Sequence, residues 1–192
     1  GNDSYVKTTA SYDSGLQDNG WAYSVLIDHW QAHRKYAVGT AGQGQTYFFS
    51  VGKKFNEKHS LNFLLTGSPQ WHDQNFSKSK EFYAQNGIKA NTNTGFFEGE
   101  RFTERRNFYH KPIANINWDF NINDSMDLST VLYGSWGRGG GTGGYGRGRV
   151  RYEDSQPNGN RPGHEIDFDA IQTENIANAD ANGNGNYGDS YL

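Results

Sequence analysis

The chain has 192 residues, a net charge of −3 and no cysteine. Disulfide frameworks, thiolate metal sites and cysteine nucleophiles are excluded, and so mild a charge nominates no nucleic acid as a partner. Only 33% of residues are hydrophobic and the mean hydropathy is −0.92, yet 15% are aromatic and 25 are glycine. That is well below the ~45–50% apolar content of soluble domains, while the aromatics argue against disorder. Few aliphatics with many aromatics suit a sheet with one polar face and aromatic rims. No run approaches ~18 apolar residues, which excludes a transmembrane helix but not membrane strands.

Six strands are expected in chain order. The first covers about 5–13, with Val6, Thr8, Ala10 and Tyr12 outward and Lys7, Thr9, Ser11 and Asp13 inward. The second, about 21–31, turns Trp21, Tyr23, Val25 and Ile27 outward and Ser24 and Asp28 inward, although Leu26 and Trp30 break its pattern. The third, 45–55, places Tyr47, Phe49, Val51 and Phe55 outward. Asn56 to His59 form a turn. In the fourth, 60–71, Leu61, Phe63, Leu65, Gly67, Pro69 and Trp71 share one parity, with Ser60, Asn62, Thr66, Ser68 and Gln70 on the other. A polar segment, 73–104, interrupts the pattern. The fifth, 107–120, aligns Phe108, Pro112, Ala114, Ile116, Trp118 and Phe120 against Asn115, Asn117 and Asp119; the sixth is 126–136. From 137 onward regular pattern is lost.

Successive strand residues point to opposite faces, so these strands are apolar on one side and wet on the other. Roughly ten residues at ~3.3 Å, tilted by ~40°, span about 25 Å, the height of the apolar band on a membrane barrel. Short connections follow strands one, three and five, and long ones follow two, four and six. Long structureless loops are unusual in compact soluble domains and ordinary outside an outer-membrane barrel. The fold expected is all-β: an antiparallel transmembrane β-barrel segment with long external loops. Six strands cannot close such a barrel, whose smallest forms use about eight. Residues 1–192 are therefore expected to be a partial barrel domain that begins and ends in external loops. Trp21, Phe55, Trp118 and Phe120 fall near the short turns, and Tyr47, Trp71, Phe108 and Trp136 near the long loops, as two aromatic girdles would.

Five stretches carry a resemblance: YFFSVGKKF at 47–55, HSLNFLLTGSPQWH at 59–72, FTERRNFYHKP at 102–112, LSTVLYGSWGRGGGTG at 128–143 and IDFDAIQTEN at 166–175. In this order and spacing the chain resembles part of the barrel of a Bacteroidetes-type TonB-dependent outer-membrane receptor. The resemblance implies a 22-stranded barrel, closed by an N-terminal plug, that takes up a scarce nutrient with energy from the TonB complex. It implies a bacterial outer-membrane location, lipid around the wall and, in related systems, a surface lipoprotein as cap. The plug, the TonB-contacting segment and the C-terminal strands are not seen in this sequence, so energised uptake belongs to an intact parent protein. The rival expectation is a soluble extracellular β-sandwich or adhesin that binds glycans.

Residues with chemical potential are weighed one by one. The glycine-rich stretch GRGGGTGGYGRGR at 137–149 lacks the Lys-Ser/Thr and strand-to-helix context of a phosphate loop. It reads as a strand end entering a loop, although arginines and Tyr145 could stack on RNA bases. Asp180, Asn182 and Asn184 have the spacing of a calcium loop with Gly185 at its sixth position, but Tyr191 stands where a bidentate glutamate is expected. Calcium is the one cofactor considered, and an Asn/Gly surface loop is the plainer reading. His29 and His33 would face together on a helix, but their segment reads as strand. Glu98, Glu100 and Glu104 beside Arg101, Arg105 and Arg106 read as mutually screened surface charges. No nucleophile elbow or triad is apparent, and no enzyme is expected. Ligand-contact candidates are the loop aromatics Tyr36, Phe82, Tyr83, Phe96, Phe97 and Tyr145, because rings stack on flat apolar faces and neighbouring amides fix hydroxyls. Packing of the loops on one another is the competing role.

Overall fold

The computed structural model describes residues 4–146, 149–182 and 190–191. Strand accounts for 51% of it and helix for 12%, and the sheets are dominated by antiparallel pairs. The all-β class therefore holds.

The main sheet is a meander. Its first three strands are β1 (Val6–Asp13), β2 (Trp21–Ala32) and β3 (Gly42–Lys54), each antiparallel to the next. The fourth is written by two collinear pieces, β4 (His59–Gly67) and β5 (Gln70–Asp73). Helix α1 (Lys80–Asn86) and strands β6 (Thr94–Phe97) and β7 (Glu100–Thr103) follow in the long loop. The fifth and sixth strands are likewise split, into β8 (Arg106–His110) with β9 (Ile113–Asn123) and β10 (Met126–Ser135) with β11 (Arg138–Gly141). The splits do not change register. Tyr47 faces Gly67 and Gln43 faces Trp71, with the Gln45 amide donating to the Pro69 carbonyl at 3.0 Å between them. Proline removes one donor from the ladder, so pairing lapses at Pro69 and Pro112 while the strands run on.

Register brings the outward parities into rows. Tyr23, Val51, Phe63, Ile116 and Leu132 lie side by side across five strands, and Val25, Phe49, Leu65 and Ala114 form the adjacent row. Ile27 is 52% exposed, Phe63 39% and Leu132 69%, so this apolar face is uncovered. The opposite face is hydrogen-bonded. Asn62 donates to Ser50 Oγ at 2.9 Å, Asn117 to Asn115 Oδ1 at 3.3 Å, and Ser129 to Asp119 at 2.7 Å. Lys7 pairs with the buried Asp28 at 3.1 Å. Leu26 and Trp30, which break the alternation, lie on this inner face. Leu26 faces Phe48, and Trp30 lies against Gly44, where an added Cβ would come within 2.6 Å of the indole nitrogen.

The aromatics expected at the two strand ends follow the same register. Trp21 stacks on Tyr23, and Trp118 and His59 stack on Phe120, all at the short-turn end. Lys53 shares the outward parity there, but it runs over the Trp21 ring and gives its ammonium to the Asn19 carbonyl at 2.7 Å, as a snorkelling lysine does. Trp71 and Phe108 are direct neighbours near the other end. No described helix is long and apolar enough to cross a membrane, a fact that does not bear on strands.

Two expectations are corrected, and a core is added to them. Strand three begins at Gly42, so the connection after strand two, 33–41, is scarcely longer than that after strand one, 14–20. The loop-length asymmetry is therefore clear only for the later pairs. The segment 73–104 and the region after 137 are not without structure: besides α1, β6 and β7 they hold β12 (Tyr145–Gly146), α2 (Tyr152–Ser155), β13 (Ile166–Asp167), α3 (Phe168–Asn182) and β14 (Ser190–Tyr191). Finally, the largest fully buried apolar side chains belong to these loops. Ile166, Phe168 and Ile171 form a small core with Phe97 and Val150 against it, beneath a three-stranded sheet ordered β13-β6-β7. The periodicity of 2 or 3.6 that reveals long elements is too short-lived in two- to four-residue strands to be seen.

Candidate ligand site at the long-loop end

The loops are fastened to the strand ends by charge. Asp73, at the end of β5, is buried and accepts from Arg106 Nε at 2.8 Å and Nη2 at 3.3 Å, while the Ala41 amide donates to it at 3.3 Å. Such a two-pronged pair fixes both side chains. The Arg106 guanidinium also lies 4.0 Å from the Trp71 ring centre. Glu104 is bonded by Arg149 Nε and approached by Arg105 at 3.5 Å. Arg101, on β7, donates to the buried Glu165 at 2.8 Å.

Of these groups Asp73, Arg106, Glu104 and Arg101 line a cavity of about 450 Å³ between strand ends and loops, with His33 and Phe102. Each of its carboxylates is held by a guanidinium, so the arrangement supplies fixed hydrogen-bonding edges and a ring wall. It suits holding a polar ligand of small-molecule size.

Five of the six aromatics singled out from the sequence fall elsewhere. Tyr36 is 53% exposed, and Lys89 lies 5.5 Å over its ring. Phe82 and Tyr83 meet edge to face on α1; Phe82 also meets His164, and the Tyr83 hydroxyl accepts from the Lys78 amide. Phe96 lies between the guanidinium groups of Arg101 and Arg161, at 4.1 and 3.4 Å. Phe97 packs on the loop core. Tyr145 belongs to β12, and its side chain lies outside the described residues. None of the other five lines the 450 Å³ cavity. Asp180 and Asn182 fall within α3, not in a loop, and Asn184 lies outside the described residues.

Sequence reasoning missed Asp73 and read Arg106 and Glu104 as screened surface charges. Glu104 is not a screened surface charge, since its side chain is only 9% exposed. The available signal was a strand ending in aspartate and its partner beginning in arginine, which antiparallel pairing sets side by side.

The loop core has its own electrostatics. Asp167 is buried; it accepts from the Ala170 amide at 3.0 Å, capping α3, and from Ser155 and Gln156. Arg151 gives one nitrogen to the carbonyls of Thr92 and His164, both at 2.7 Å, and burial lowers its pKa. Burial also lowers the pKa of His164, with Glu165 opposing and Arg151 adding to the effect. The unfolded chain therefore binds more protons than the folded one as pH falls below about 6.5. Folded loops should be most stable above neutral pH and lose this contribution as pH falls through that value toward the lower folded pKa. Hydrogen exchange across 162–171 between pH 7.5 and 5 checks this; His164→Gln should flatten the dependence.

No protein-family model, curated protein or solved structure matches this chain.

Proposed function

We propose that the chain forms part of the wall and external loops of a bacterial outer-membrane receptor of the TonB-dependent kind, serving energised uptake of a nutrient. The observation that supports this best is the two-faced meander: an uncovered apolar face continuous across the strands, backed by a hydrogen-bonded polar face. In lipid the first face meets acyl chains and the second lines a wet interior. The described residues leave β1 and β10 as open edges, and an open edge in lipid costs several kcal/mol per unpaired group. The proposal therefore includes further strands that close the barrel. The plug, the TonB complex and a capping lipoprotein enter through the family resemblance alone. The cavity at the long-loop end is the proposed place of first contact with solute.

Cell fractionation and uptake test the reading together. The protein should be recovered with outer membranes, and its deletion should abolish growth on one limiting nutrient, as should loss of TonB. Recovery in a soluble fraction would contradict the proposal and favour the glycan-binding sandwich.

A further inference from the structure

A second cavity, of about 370 Å³, lies nearer the middle of the strands on the outward parity. Gln43, Gln45, Trp71, Phe108, His110 and Arg138 border it. All six share the parity of the apolar rows: Gln43 faces Trp71, Trp71 faces Phe108, and His110 faces Arg138. The groove sits one row beyond Ile27, Tyr47 and Gly67, where the outward face turns from apolar to polar. Its lining contains no carboxylate, unlike that of the 450 Å³ cavity. The Arg138 side chain is exposed and makes no ion pair or hydrogen bond with a described residue, while its backbone pairs with His110. His110 is held by the Tyr47 hydroxyl at 3.0 Å. A guanidinium with no partner among the described residues, beside amides and rings and next to an apolar face, matches an anionic phosphate whose acyl chains run down that face.

We propose that this groove seats the phosphate headgroup of an anionic lipid, with Arg138 as its principal contact. The site rests on the barrel reading, since only a wall in lipid presents acyl chains below it. The Arg138 side chain has no partner among the described residues, so Arg138→Gln is expected to keep the fold, with unchanged far-UV circular dichroism as its control, and to remove the charge. The test reconstitutes the full-length protein in vesicles of phosphatidylcholine doped with dibrominated phosphatidylglycerol, or with dibrominated phosphatidylcholine, and measures tryptophan quenching. Wild type should prefer phosphatidylglycerol about fivefold, the effect of roughly one basic residue near an anionic surface. Arg138→Gln should abolish the preference, and Arg161→Gln, a loop cation, should keep it. Equal quenching by both lipids in wild type, or a preference that survives in Arg138→Gln, overturns the site and leaves the barrel standing. Loss of the preference on adding inorganic phosphate at constant ionic strength would assign the groove to free phosphate and overturn the lipid assignment. No quenching by either lipid overturns the barrel reading and the site with it.

Discussion

Gly95→Ala should unfold the external loops while leaving the wall paired. Gly95 lies opposite Ile166 in the parallel β13–β6 pair, and a Cβ there would sit 1.7 Å from the Ile166 carbonyl oxygen. That obstacle is backbone, so no rotamer change relieves it; the two strands must separate. Separation uncovers Ile166 and Phe168, the centre of the loop core, and strains the Arg101–Glu165 pair between β7 and the segment before β13. Overpacking alone costs about 1–3 kcal/mol, and a backbone collision in the sheet that carries Ile166 should exceed about 3 kcal/mol. Hydrogen exchange is the measurement. Amides of 94–103 and 164–171 should lose protection by two orders of magnitude or more, about the factor such an energy implies, while those of β2 and β3 keep theirs. Unchanged protection in the loops would contradict this account of the core.

Arginine placed on the outward parity should cost far more than arginine on the inward one. Phe63 stands mid-row between Val51 and Ile116, and Ile27 between Ala10 and Tyr47. On the proposed membrane reading, Phe63→Arg and Ile27→Arg put a charge among acyl chains, and each should destabilise the inserted protein by ~2–4 kcal/mol. Asn62 is Phe63's neighbour in sequence but faces the other way, bonded to Ser50 and approached by Asn117 at 3.5 Å. Asn62→Arg gives up those bonds to water that already wets the face, and should cost about 1 kcal/mol or less. Guanidinium unfolding from lipid vesicles compares the three. Equal costs on both parities would refute the assignment of faces.

The wall was legible in the sequence because its strands are long enough for period-2 patterning to repeat. Leu61, Phe63 and Leu65 announced a face, and antiparallel pairing extended it across neighbours without further information. Even the prolines kept their expected parity, since Pro69 lies in register between Gly67 and Trp71. Leu26 and Trp30 looked like errors of pattern; they are inner-face residues packed on Phe48 and the glycines of β3.

The loops were not legible, because their order arises from tertiary contacts between segments far apart in sequence. Phe168 is buried by Phe102, which precedes it by most of the length of the loops. Glu104 is fixed by Arg149 and Glu165 by Arg101, pairings that no local spacing reveals. Aromatics chosen for ligand contact were visible as rings but not as partners. Phe97 packs on the loop core and Phe96 carries two guanidinium groups, so loop packing claims both.

The central claim is that the sheet's outward face lies in lipid. Residues 1–192 hold no cysteine, so single-cysteine spin labels can be placed without background from this segment at each position of β4 from Ser60 to Gly67. Accessibility to lipid-soluble oxygen and to a water-soluble nickel chelate would be measured at every site in vesicles. The account predicts a period of two, with oxygen reaching positions 61, 63, 65 and 67 and nickel reaching 60, 62, 64 and 66. Odd positions that exclude both reagents would mean that a second protein layer covers this face, and the membrane wall would have to be abandoned.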